Sequence, residues 1–265
     1  MMAAADVATA LNMSNSAAIK LLQITDTHLM GNRDALLRGV PTFATLQAVQ
    51  NDAQQRFPQC DGVLLTGDLV QDDAAGYTLI REAFAQSPAP VYCIPGNHDL
   101  PEAMQQALTG APFVLDDHVI IGNWLLVLLN SWQPHNAAGQ LGSPQLKHLD
   151  SLLRQHAELN TLICLHHHPI EMESHWLDEV GLEDADKLRN CLTGHEQVRG
   201  VLWGHVHQAL DEYINGVRYM ATPATCAQFL PHSHDFAIDS RPPGYRYLEL
   251  HADGSIASQV IWLGQ

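Results

Sequence analysis

The stretch Leu64-Leu65-Thr66-Gly67-Asp68-Leu69-Val70-Gln71-Asp72 decides the fold. It is a short apolar run, typical of a buried strand, that ends at a glycine and is followed at once by a carboxylate. The same order recurs where other apolar runs precede side chains that can bind a metal ion: Leu21–Ile24 before Asp26-Thr27-His28, Val91–Ile94 before Gly96-Asn97-His98-Asp99, Leu162–Leu165 before His166-His167-His168-Pro169, and Val201–Trp203 before Gly204-His205-Val206-His207. Because ligands of open α/β sheets bind beyond the carboxyl ends of the strands, these strand ends predict one shared site centred on Asp68.

The composition limits the class of protein. The chain has 265 residues, 16 histidines and a formal net charge of −16, and it is long enough for one large domain with a substantial core. The few lysines and arginines form no cluster, which argues against binding to a nucleic-acid backbone. An anionic substrate would need local attraction, which bound cations can supply.

The lack of a long apolar run and the cysteine content indicate where the protein is located. No apolar run approaches the roughly 18 residues that would indicate a membrane span, so no membrane is expected as a partner. The five cysteines are odd in number and show no C-x-x-C spacing, which favours a reduced, cytoplasmic location. The oligomeric state is left open by the sequence.

The order of the elements predicts a single domain over residues 19–265. Residues 1–18 are small and polar and lack the basic and apolar regions of a signal peptide, so they are interpreted as a disordered tail. Strands and helices alternate from Ile19 to Leu108, which favours a parallel sheet with helical crossovers, and the runs from Gln208 onward look antiparallel. We expect an α/β (α+β) fold in which two mixed sheets pack together and helices cover them.

Three local patterns give more specific predictions. The runs Val114–Ile121 and Trp124–Leu129, joined by Gly122-Asn123, resemble a β-hairpin. Ser143-Pro144 has the pattern of an N-cap and a first-turn proline, so a helix is expected to begin there. The acidic segment Glu171–Asp186 is expected to be a loop that leads into a helix.

The candidate metal ligands are the carboxylate, imidazole and amide side chains at the strand ends. If Asp68 bridges two ions, the ligands form two sets of four that share it. One set is Asp26, His28, Asp68 and His207, and the other is Asp68, Asn97, His167 and His205. Two-metal hydrolytic sites hold their ions about 3.5–4 Å apart, a span that one carboxylate can bridge.

The spacing within two motifs supports a common cluster. In Asp26-x-His28 and His205-x-His207 the candidate ligands are two residues apart, and in extended backbone such residues point to the same side. We therefore expect extended backbone at both motifs. The structural alternative is that these residues only cap strands and fill the core. For any single motif that alternative is the better explanation. It does not explain why a possible metal ligand follows every one of these strands.

The motifs D-x-H, G-D, G-N-H-D, H-x-P and G-H-x-H, in this order, resemble those of the calcineurin-like metallophosphoesterases. Longer stretches are similar to the class III bacterial 3′,5′-cyclic-AMP phosphodiesterases of the CpdA type: Leu22–His28, Gly67–Asp72, Leu165–Pro169, Trp176–Asp178, Ala221–Cys226 and Leu248–Gly254. The resemblance runs from about Ile19 to the C-terminus, although Glu171–His175 departs from the Leu-Pro-containing loop of that family. It implies a four-layer αββα sandwich.

The resemblance also implies a function. It implies a two-metal enzyme, with iron or manganese or alternatively zinc, that hydrolyses 3′,5′-cyclic AMP to 5′-AMP and lowers the cellular cyclic-AMP signal. It assigns one metal ligand to His167, two residues before the proline, and leaves His166 and His168 as flanking residues. The implied catalytic residues are His98, which would protonate the leaving oxygen with Asp99 as its orienting partner, and Asp68. The residues expected to contact the cyclic nucleotide are His28, Asp68, Asn97, His98, His167 and His207.

Two alternative functions remain open from the sequence. Ligand spacing does not distinguish this activity from that of a related two-metal enzyme acting on 2′,3′-cyclic nucleotides, glycerophosphodiesters or phosphomonoesters. The second alternative is a scaffold of the same fold that only binds proteins, but such a scaffold would be expected to have lost ligands.

Other polar residues are placed outside the catalytic set. His232-Ser233-His234-Asp235 is expected to be a surface loop, and Asp72 and Asp73 are expected to be helix caps. Trp176 could either stack on adenine or pack in the core, and Cys226 has no mark of a nucleophile. Gln71 stands where the related purple acid phosphatases have a tyrosine ligand, so a ferric-tyrosinate centre is not expected.

Overall fold

The computed structural model describes residues 18–265, so the tail predicted over residues 1–18 lies outside the described part except for Ala18. Within this range, none of the helices combines the length and the hydrophobicity that crossing a bilayer requires. The helices are α1 Thr42–Arg56, α2 Gly76–Phe84, α3 Pro101–Ala107, α4 Gly142–Gln155, α5 His175–Asp178 and α6 Ala185–Leu192. The strands are β1 Ile19–Ile24, β2 Leu36–Leu37, β3 Val40–Pro41, β4 Gly62–Thr66, β5 Val91–Ile94, β6 Phe113–Val114, β7 His118–Ile121, β8 Trp124–Leu128, β9 Asn160–Cys164, β10 Val198–Trp203, β11 Leu210–Ile214, β12 Val217–Ala221, β13 Gln228–Phe229, β14 Ile238–Asp239, β15 Gly244–Leu250 and β16 Ile256–Trp262.

Two six-stranded sheets form the centre of the fold. The first has the order β16-β15-β1-β4-β5-β6 and the second has the order β11-β12-β10-β9-β8-β7. In the first sheet β1, β4, β5 and β6 are parallel, and β15 and β16 add an antiparallel edge. In the second sheet β8, β9, β10 and β12 are parallel, and β7 and β11 are antiparallel edges. The antiparallel pairing predicted after Gln208 is confirmed for β11 with β12 and for β15 with β16, and β12 also pairs parallel with β10.

Three apolar layers account for this arrangement. The layer between the sheets contains residues from both, including Leu21, Leu64, Trp124, Leu162 and Leu202. The outer face of the first sheet packs against α1, α2 and α3, and the outer face of the second sheet packs against α4, α5 and α6. The predicted four-layer αββα sandwich is confirmed.

Two predictions of local secondary structure differ from the structure, because contacts with residues distant in the sequence determine the strand pairing and the helix start. The run Val114–Ile121 is divided, because β6 pairs with β5 in the first sheet whereas β7 pairs with β8 in the second. Helix α4 begins at Gly142, before Ser143, because the Asp184 carboxylate accepts hydrogen bonds from the backbone N–H groups of Leu141 and Gly142 at 3.0 and 2.9 Å. A side chain far along the chain thus performs the capping that was expected of Ser143.

Short elements were also missed. The segment predicted as an acidic loop contains α5, and the short hairpin β2–β3 precedes α1. The strands β13 and β14 form another short hairpin, and His232 and His234 are exposed in the loop that joins them. The surface position predicted for that histidine-containing loop is confirmed.

A buried arginine joins the two sheets. Arg246 lies in β15 of the first sheet and is only 1% exposed. Its guanidinium donates hydrogen bonds to the carbonyl oxygens of Ala221 (2.7 Å) and Leu210 (3.0 Å) in the second sheet, and to the Thr222 hydroxyl (3.0 Å). Burial lowers the pKa of Arg246 to about 10, with the Asp211 carboxylate 3.6 Å away opposing the shift.

Arg246→Leu is expected to lower the free energy of unfolding by about 3–5 kcal/mol, because it leaves buried carbonyl oxygens without donors. Unfolding in urea, followed by circular dichroism, measures the change. Arg154→Leu is the matched control, since Arg154 forms an exposed ion pair with Asp150 within α4 and exposed pairs contribute little. Equal effects of the two substitutions would show that Arg246 does not join the sheets.

Candidate metal centre

The loops that carry the candidate ligands lie at the carboxyl ends of β1, β4, β5, β9 and β10. Backbone hydrogen bonds continue the parallel pairing beyond the strands, from Asp26 N–H to the Gly67 carbonyl (3.0 Å) and from His28 N–H to the Asp68 carbonyl (2.9 Å). In the second sheet, the backbone N–H of His205 donates to both carboxylate oxygens of Asp26, at 3.1 and 3.0 Å. The end of β10 is therefore fixed directly to the end of β1.

The backbone of the D-x-H and H-x-H motifs is left-handed. The φ angles are 54° at Asp26, 46° at His28, 65° at His205 and 48° at His207, and Asp68 has a φ of 50°. The expectation of extended backbone is wrong here, because each pair converges through two left-handed residues. Residues other than glycine keep such angles only where the surroundings impose them, and they concentrate at functional sites.

Two histidines face each other through their Nε2 atoms at the first candidate ion position. His28 donates from Nδ1 to Gln71 Oε1 at 2.8 Å, and His207 donates from Nδ1 to the Ala227 carbonyl at 2.6 Å. Since each neutral imidazole carries one proton, both Nε2 atoms keep a lone pair. These two Nε2 atoms are only 3.2 Å apart.

Carboxylates add to the excess of acceptor atoms. Asp26 Oδ1 lies 3.3 Å from His207 Nε2, and Asp68 Oδ2 lies 3.6 Å from His28 Nε2. Burial opposes a charge on His207, but Asp26 outweighs it and raises the pKa of His207 well above its ordinary value. Burial lowers the pKa of His28 to about 4. Such a cluster of buried acceptors is stable only with a cation or an added proton, and it fits a divalent ion held by nitrogen and oxygen.

A second set of acceptor atoms lies on the other side of Asp68. His166 donates from Nδ1 to the Thr66 carbonyl at 2.8 Å, and its Nε2 lies 3.4 Å from Asp68 Oδ2 and 3.3 Å from Asn97 Oδ1. His205 donates from Nε2 to the Val180 carbonyl at 3.1 Å, which leaves Nδ1 as its acceptor atom. His205 belongs to this set because one ring nitrogen from each of His166, His167 and His205 lies within 4.8 Å of the other two.

The pKa values reflect the negative potential of this region. Burial opposes a charge on His166, but Asp68 outweighs it and raises the pKa of His166 to about 9. Burial would raise the pKa of the Asp68 carboxyl, yet His166 holds that pKa well below its usual range. Burial keeps the pKa of His205 well below its ordinary value, so its lone pair is available to a metal ion.

His166, the residue before the predicted ligand His167, is the histidine of this motif that contacts Asp68 and Asn97. His167 Nδ1 lies 2.7 Å from the Ser131 hydroxyl and His167 Nε2 lies 3.2 Å from the Ala137 carbonyl, so both of its ring nitrogens have protein partners. The reason is the alternation of side chains along β9. Cys164 belongs to the layer between the sheets and Leu165 to the outer layer, so His166 follows Cys164 towards the first sheet.

His98 lies beside this cluster with its ring nitrogen Nδ1 held by two neighbours. The Asp72 carboxylate and the Gln71 amide nitrogen are each 2.9 Å from His98 Nδ1. Among the residues that the structure describes, His98 Nε2 has no hydrogen-bond partner. The His98 ring centroid is 5.2 Å from that of His28, so Nε2 is available to a substrate held by the cluster.

The prediction that Asp99 orients the His98 ring is wrong. Asp99 is buried and accepts hydrogen bonds from the backbone N–H groups of Gly96 (2.9 Å) and Leu69 (3.1 Å) and from the Tyr77 hydroxyl (2.8 Å). It therefore fixes the loops after β4 and β5 to each other. Burial raises the pKa of Asp99 to about 6, and the nearby Asp68 charge adds to this effect.

The two predicted helix caps behave differently. Asp73 accepts a hydrogen bond from the Ala75 backbone N–H at 3.0 Å, in the turn that precedes α2, although no side chain caps the first residues of that helix. Asp72 does not cap the helix, because its carboxylate contacts His98. The cap prediction is therefore wrong for Asp72.

Aromatic residues missed by the sequence analysis form one side of the site. Phe229 stacks on the His207 ring with centroids 4.0 Å apart and planes 8° apart. Trp176 packs edge-on against Phe229 and Phe236, each at 5.1 Å, which is the packing role and not an open stacking platform. A cavity of about 110 Å³ lies between these groups, and His28, Arg38, Gln71, His98, His207, Cys226 and Phe229 are among the residues that line it.

Comparisons with known proteins give a consistent result. A family model described as calcineurin-like phosphoesterase matches residues 19–209. A protein of Haemophilus influenzae is 41% identical over 244 residues, covering 91% of this chain and 89% of that protein. A protein of Escherichia coli is 40% identical over 252 residues, covering 94% and 92%. Both relatives are named 3′,5′-cyclic adenosine monophosphate phosphodiesterase CpdA.

Solved structures show the same fold at low sequence identity. A dimetal phosphatase from Danio rerio has a TM-score of 0.64 and 16% identity, with coverage of 93% of this chain and 99% of that chain. A purple acid phosphatase from yellow lupin has a TM-score of 0.62 and 14% identity, with coverage of 95% and 53%. At these identities the likeness concerns the fold alone.

Gly204→Ala is expected to weaken metal binding by at least about 10-fold. The added methyl group would lie 2.0 Å from the Thr25 hydroxyl and 2.7 Å from Asp26 Oδ2, so the buried Asp26 carboxylate has to move. Calorimetric titration of the metal-free protein with zinc measures the affinity. Gly200→Ala in the same strand is the control, because its methyl group would meet only apolar side chains. Unchanged affinity of the Gly204 variant would contradict the geometry described for Asp26.

Proposed function

The chain belongs to the calcineurin-like phosphoesterase family, and from this premise we propose that it is a metal-dependent phosphodiesterase that hydrolyses 3′,5′-cyclic AMP to 5′-AMP. The observation that carries the proposal is the pair of buried acceptor sets that share Asp68, with His98 beside them. Relatives named for this activity match more than nine-tenths of the chain at about 40% identity. A protein-binding scaffold would have no need to keep so many buried lone pairs facing one another.

We propose two ligand sets on this basis. The first consists of Asp26, His28, Asp68 and His207, as the motifs predict. The second consists of Asp68, Asn97, His166 and His205, with His166 in place of the predicted His167. Imidazole, carboxylate and amide ligands suit iron, manganese or zinc, and family resemblance favours iron or manganese. When bound, such ions neutralise the charge of the phosphate and activate water for attack on phosphorus.

The residues of the chain have distinct parts in the reaction. A hydrogen bond from the His98 backbone N–H holds Asp68 at 2.8 Å, so the carboxylate that both proposed ligand sets share and the proposed catalytic histidine are fixed to each other. His98 donates a proton from Nε2 to the 3′ oxygen as its bond to phosphorus breaks, which is general acid catalysis. The phosphate lies among His28, Asn97 and His207, while Phe229 closes the side of the cavity.

The location and partners follow from the same considerations. We propose that the protein acts in the cytoplasm on a small cyclic nucleotide. All five cysteines are free thiols, and Cys93, Cys164 and Cys226 are buried, which supports a reducing environment. The high negative charge of the chain makes the metal site the main attraction for an anionic substrate.

The substrate is tested with iron- or manganese-loaded protein and 3′,5′-cyclic AMP, with 2′,3′-cyclic AMP and a phosphomonoester measured in parallel. We expect 5′-AMP from 3′,5′-cyclic AMP, and we expect Asn97→Ala to lower kcat/KM by more than about 100-fold because it removes a metal ligand. Chromatography of the products distinguishes 5′-AMP from 3′-AMP. Turnover of only 2′,3′-cyclic AMP or of the monoester would leave the metal centre intact and refute the substrate.

The ligand sets are tested by metal content. His166→Ala is expected to reduce the bound metal from about two ions to about one per chain, because it removes a ligand of the second set. His167→Ala is the matched control and is expected to retain about two ions. Mass spectrometric metal analysis of folded protein, checked by circular dichroism, gives the numbers. The reverse result would restore His167 as the ligand.

A further inference from the structure

Arg38 is a positively charged residue at the cavity beside the first ligand set. Its side chain lines the cavity of about 110 Å³ together with His28, His98 and His207, and no other lysine or arginine is among the lining residues. Within residues 18–265 the Arg38 guanidinium forms no hydrogen bond and no ion pair. Its carbon Cζ lies 4.2 Å from the centre of the Phe236 ring. The protein thus presents an unneutralised cation to the cavity.

The turn that carries Arg38 does not by itself account for an arginine. Leu36–Leu37 and Val40–Pro41 pair antiparallel, so Arg38 and Gly39 form the two-residue turn of the β2–β3 hairpin. Their φ angles are 51° and 83°. Turns with two left-handed residues favour asparagine, aspartate or glycine at both positions, because larger side chains are strained there. A residue that keeps such strain is a candidate for a functional role.

Aromatic rings support the guanidinium from one side. Phe236 packs edge-on against Phe229 at 5.3 Å and against Trp176 at 5.1 Å, and Phe229 stacks on the His207 ring at 4.0 Å. A row of rings therefore connects Arg38 to a proposed metal ligand. A cation over an aromatic face is attracted to the ring and keeps its full charge, so this contact positions Arg38 without neutralising it.

The charge and the size of the cavity point to the group that Arg38 would contact. The carboxylates of Asp26, Asp68 and Asp72 lie at or beside the ligand cluster, and the chain as a whole carries a net charge of −16. A positive side chain in such surroundings favours an anion. The volume of about 110 Å³ is far below the roughly 300 Å³ of pockets that hold drug-sized ligands. A phosphate group fits this space, and a group that fills it contacts most of its walls.

We propose that Arg38 is a substrate-binding residue that contacts the phosphate of the nucleotide from the β2–β3 turn, while the ligand cluster binds the same phosphate from the strand ends. This inference rests on the proposed function. The planar guanidinium can donate two parallel hydrogen bonds to phosphate oxygens, and it takes no part in proton transfer. A phosphomonoester carries a second negative charge near neutral pH, so inorganic phosphate is a suitable probe of the same contact.

The kinetic test compares substitutions of Arg38. Arg38→Gln is expected to raise KM for 3′,5′-cyclic AMP by about 10-fold, because a hydrogen bond to a charged group is lost. The kcat should change by less than about 3-fold, since the contact is made in the ground state and in the transition state alike. Arg38→Lys keeps the charge and loses the planar fork, so its KM should lie between those of the parent chain and Arg38→Gln.

The matched control is Arg33→Gln, which removes the same charge from the same loop. The Arg33 guanidinium lies 4.5 Å from the centre of the Phe43 ring, forms an ion pair with Glu82 and does not line the cavity. Its KM should equal that of the parent chain. Metal content is measured for every variant and should be unchanged. An equal KM for the two glutamine variants, or loss of metal from Arg38→Gln, would overturn the proposed contact.

A binding measurement separates this inference from the proposed function. Inorganic phosphate is titrated calorimetrically into zinc-loaded protein. We expect about 10-fold weaker binding to Arg38→Gln and unchanged binding to Arg33→Gln, with a smaller difference at high salt. This result without cyclic-AMP turnover by the parent chain would support Arg38 as a phosphate-binding residue and refute the substrate. Turnover with unchanged KM and unchanged phosphate affinity in Arg38→Gln would refute the role of Arg38 alone.

Discussion

Lone pairs that face lone pairs are the constraint on which this structure depends. His28 and His207 approach within 3.2 Å through Nε2 atoms that both lack a proton when the rings are neutral, and the carboxylates of Asp26 and Asp68 lie beside them. Without a cation such a buried cluster repels itself. The high pKa of His207 is the response of the protein alone, since a proton reduces the same repulsion that a metal ion would remove.

The surrounding polar residues hold these acceptors in place. The other nitrogen of each proposed ligand histidine donates to a protein oxygen, and these oxygens belong to Gln71, Ala227, Thr66 and Val180. Such bonds fix the tautomer as well as the ring orientation. Asp99 fixes the backbone in a similar way, because its carboxylate binds the loop after β4 to the loop after β5. The left-handed residues at the strand ends are maintained by this network.

The sequence was most informative where a residue acts through its own neighbours in the chain. The strands β1, β4, β5 and β10 end where the apolar runs of the sequence end. The structure brings together Asp26, His28, Asp68, Asn97, His205 and His207. It was least informative where the partner is distant. Asp184 caps α4 from another loop, and Asp72 instead of Asp99 contacts His98; spacing alone contains neither relationship. The alternation of Leu162 and Cys164 along β9 indicates His166 as the residue that points to the first sheet, whereas the position two residues before the proline indicates His167.

The apolar layer between the sheets has a mechanical consequence for the chemistry. Asp26, His28, Asp68 and Asn97 are attached to the first sheet, whereas His166, His205 and His207 are attached to the second. The separation of the two half-sites is therefore set by how far apart Leu64, Trp124 and Leu162 hold the sheets, in the manner of a spacer of fixed thickness. A change in that thickness would alter the distance between the two proposed ion positions while every proposed ligand remained intact, so we expect residues with no polar atom near the site to help determine its activity.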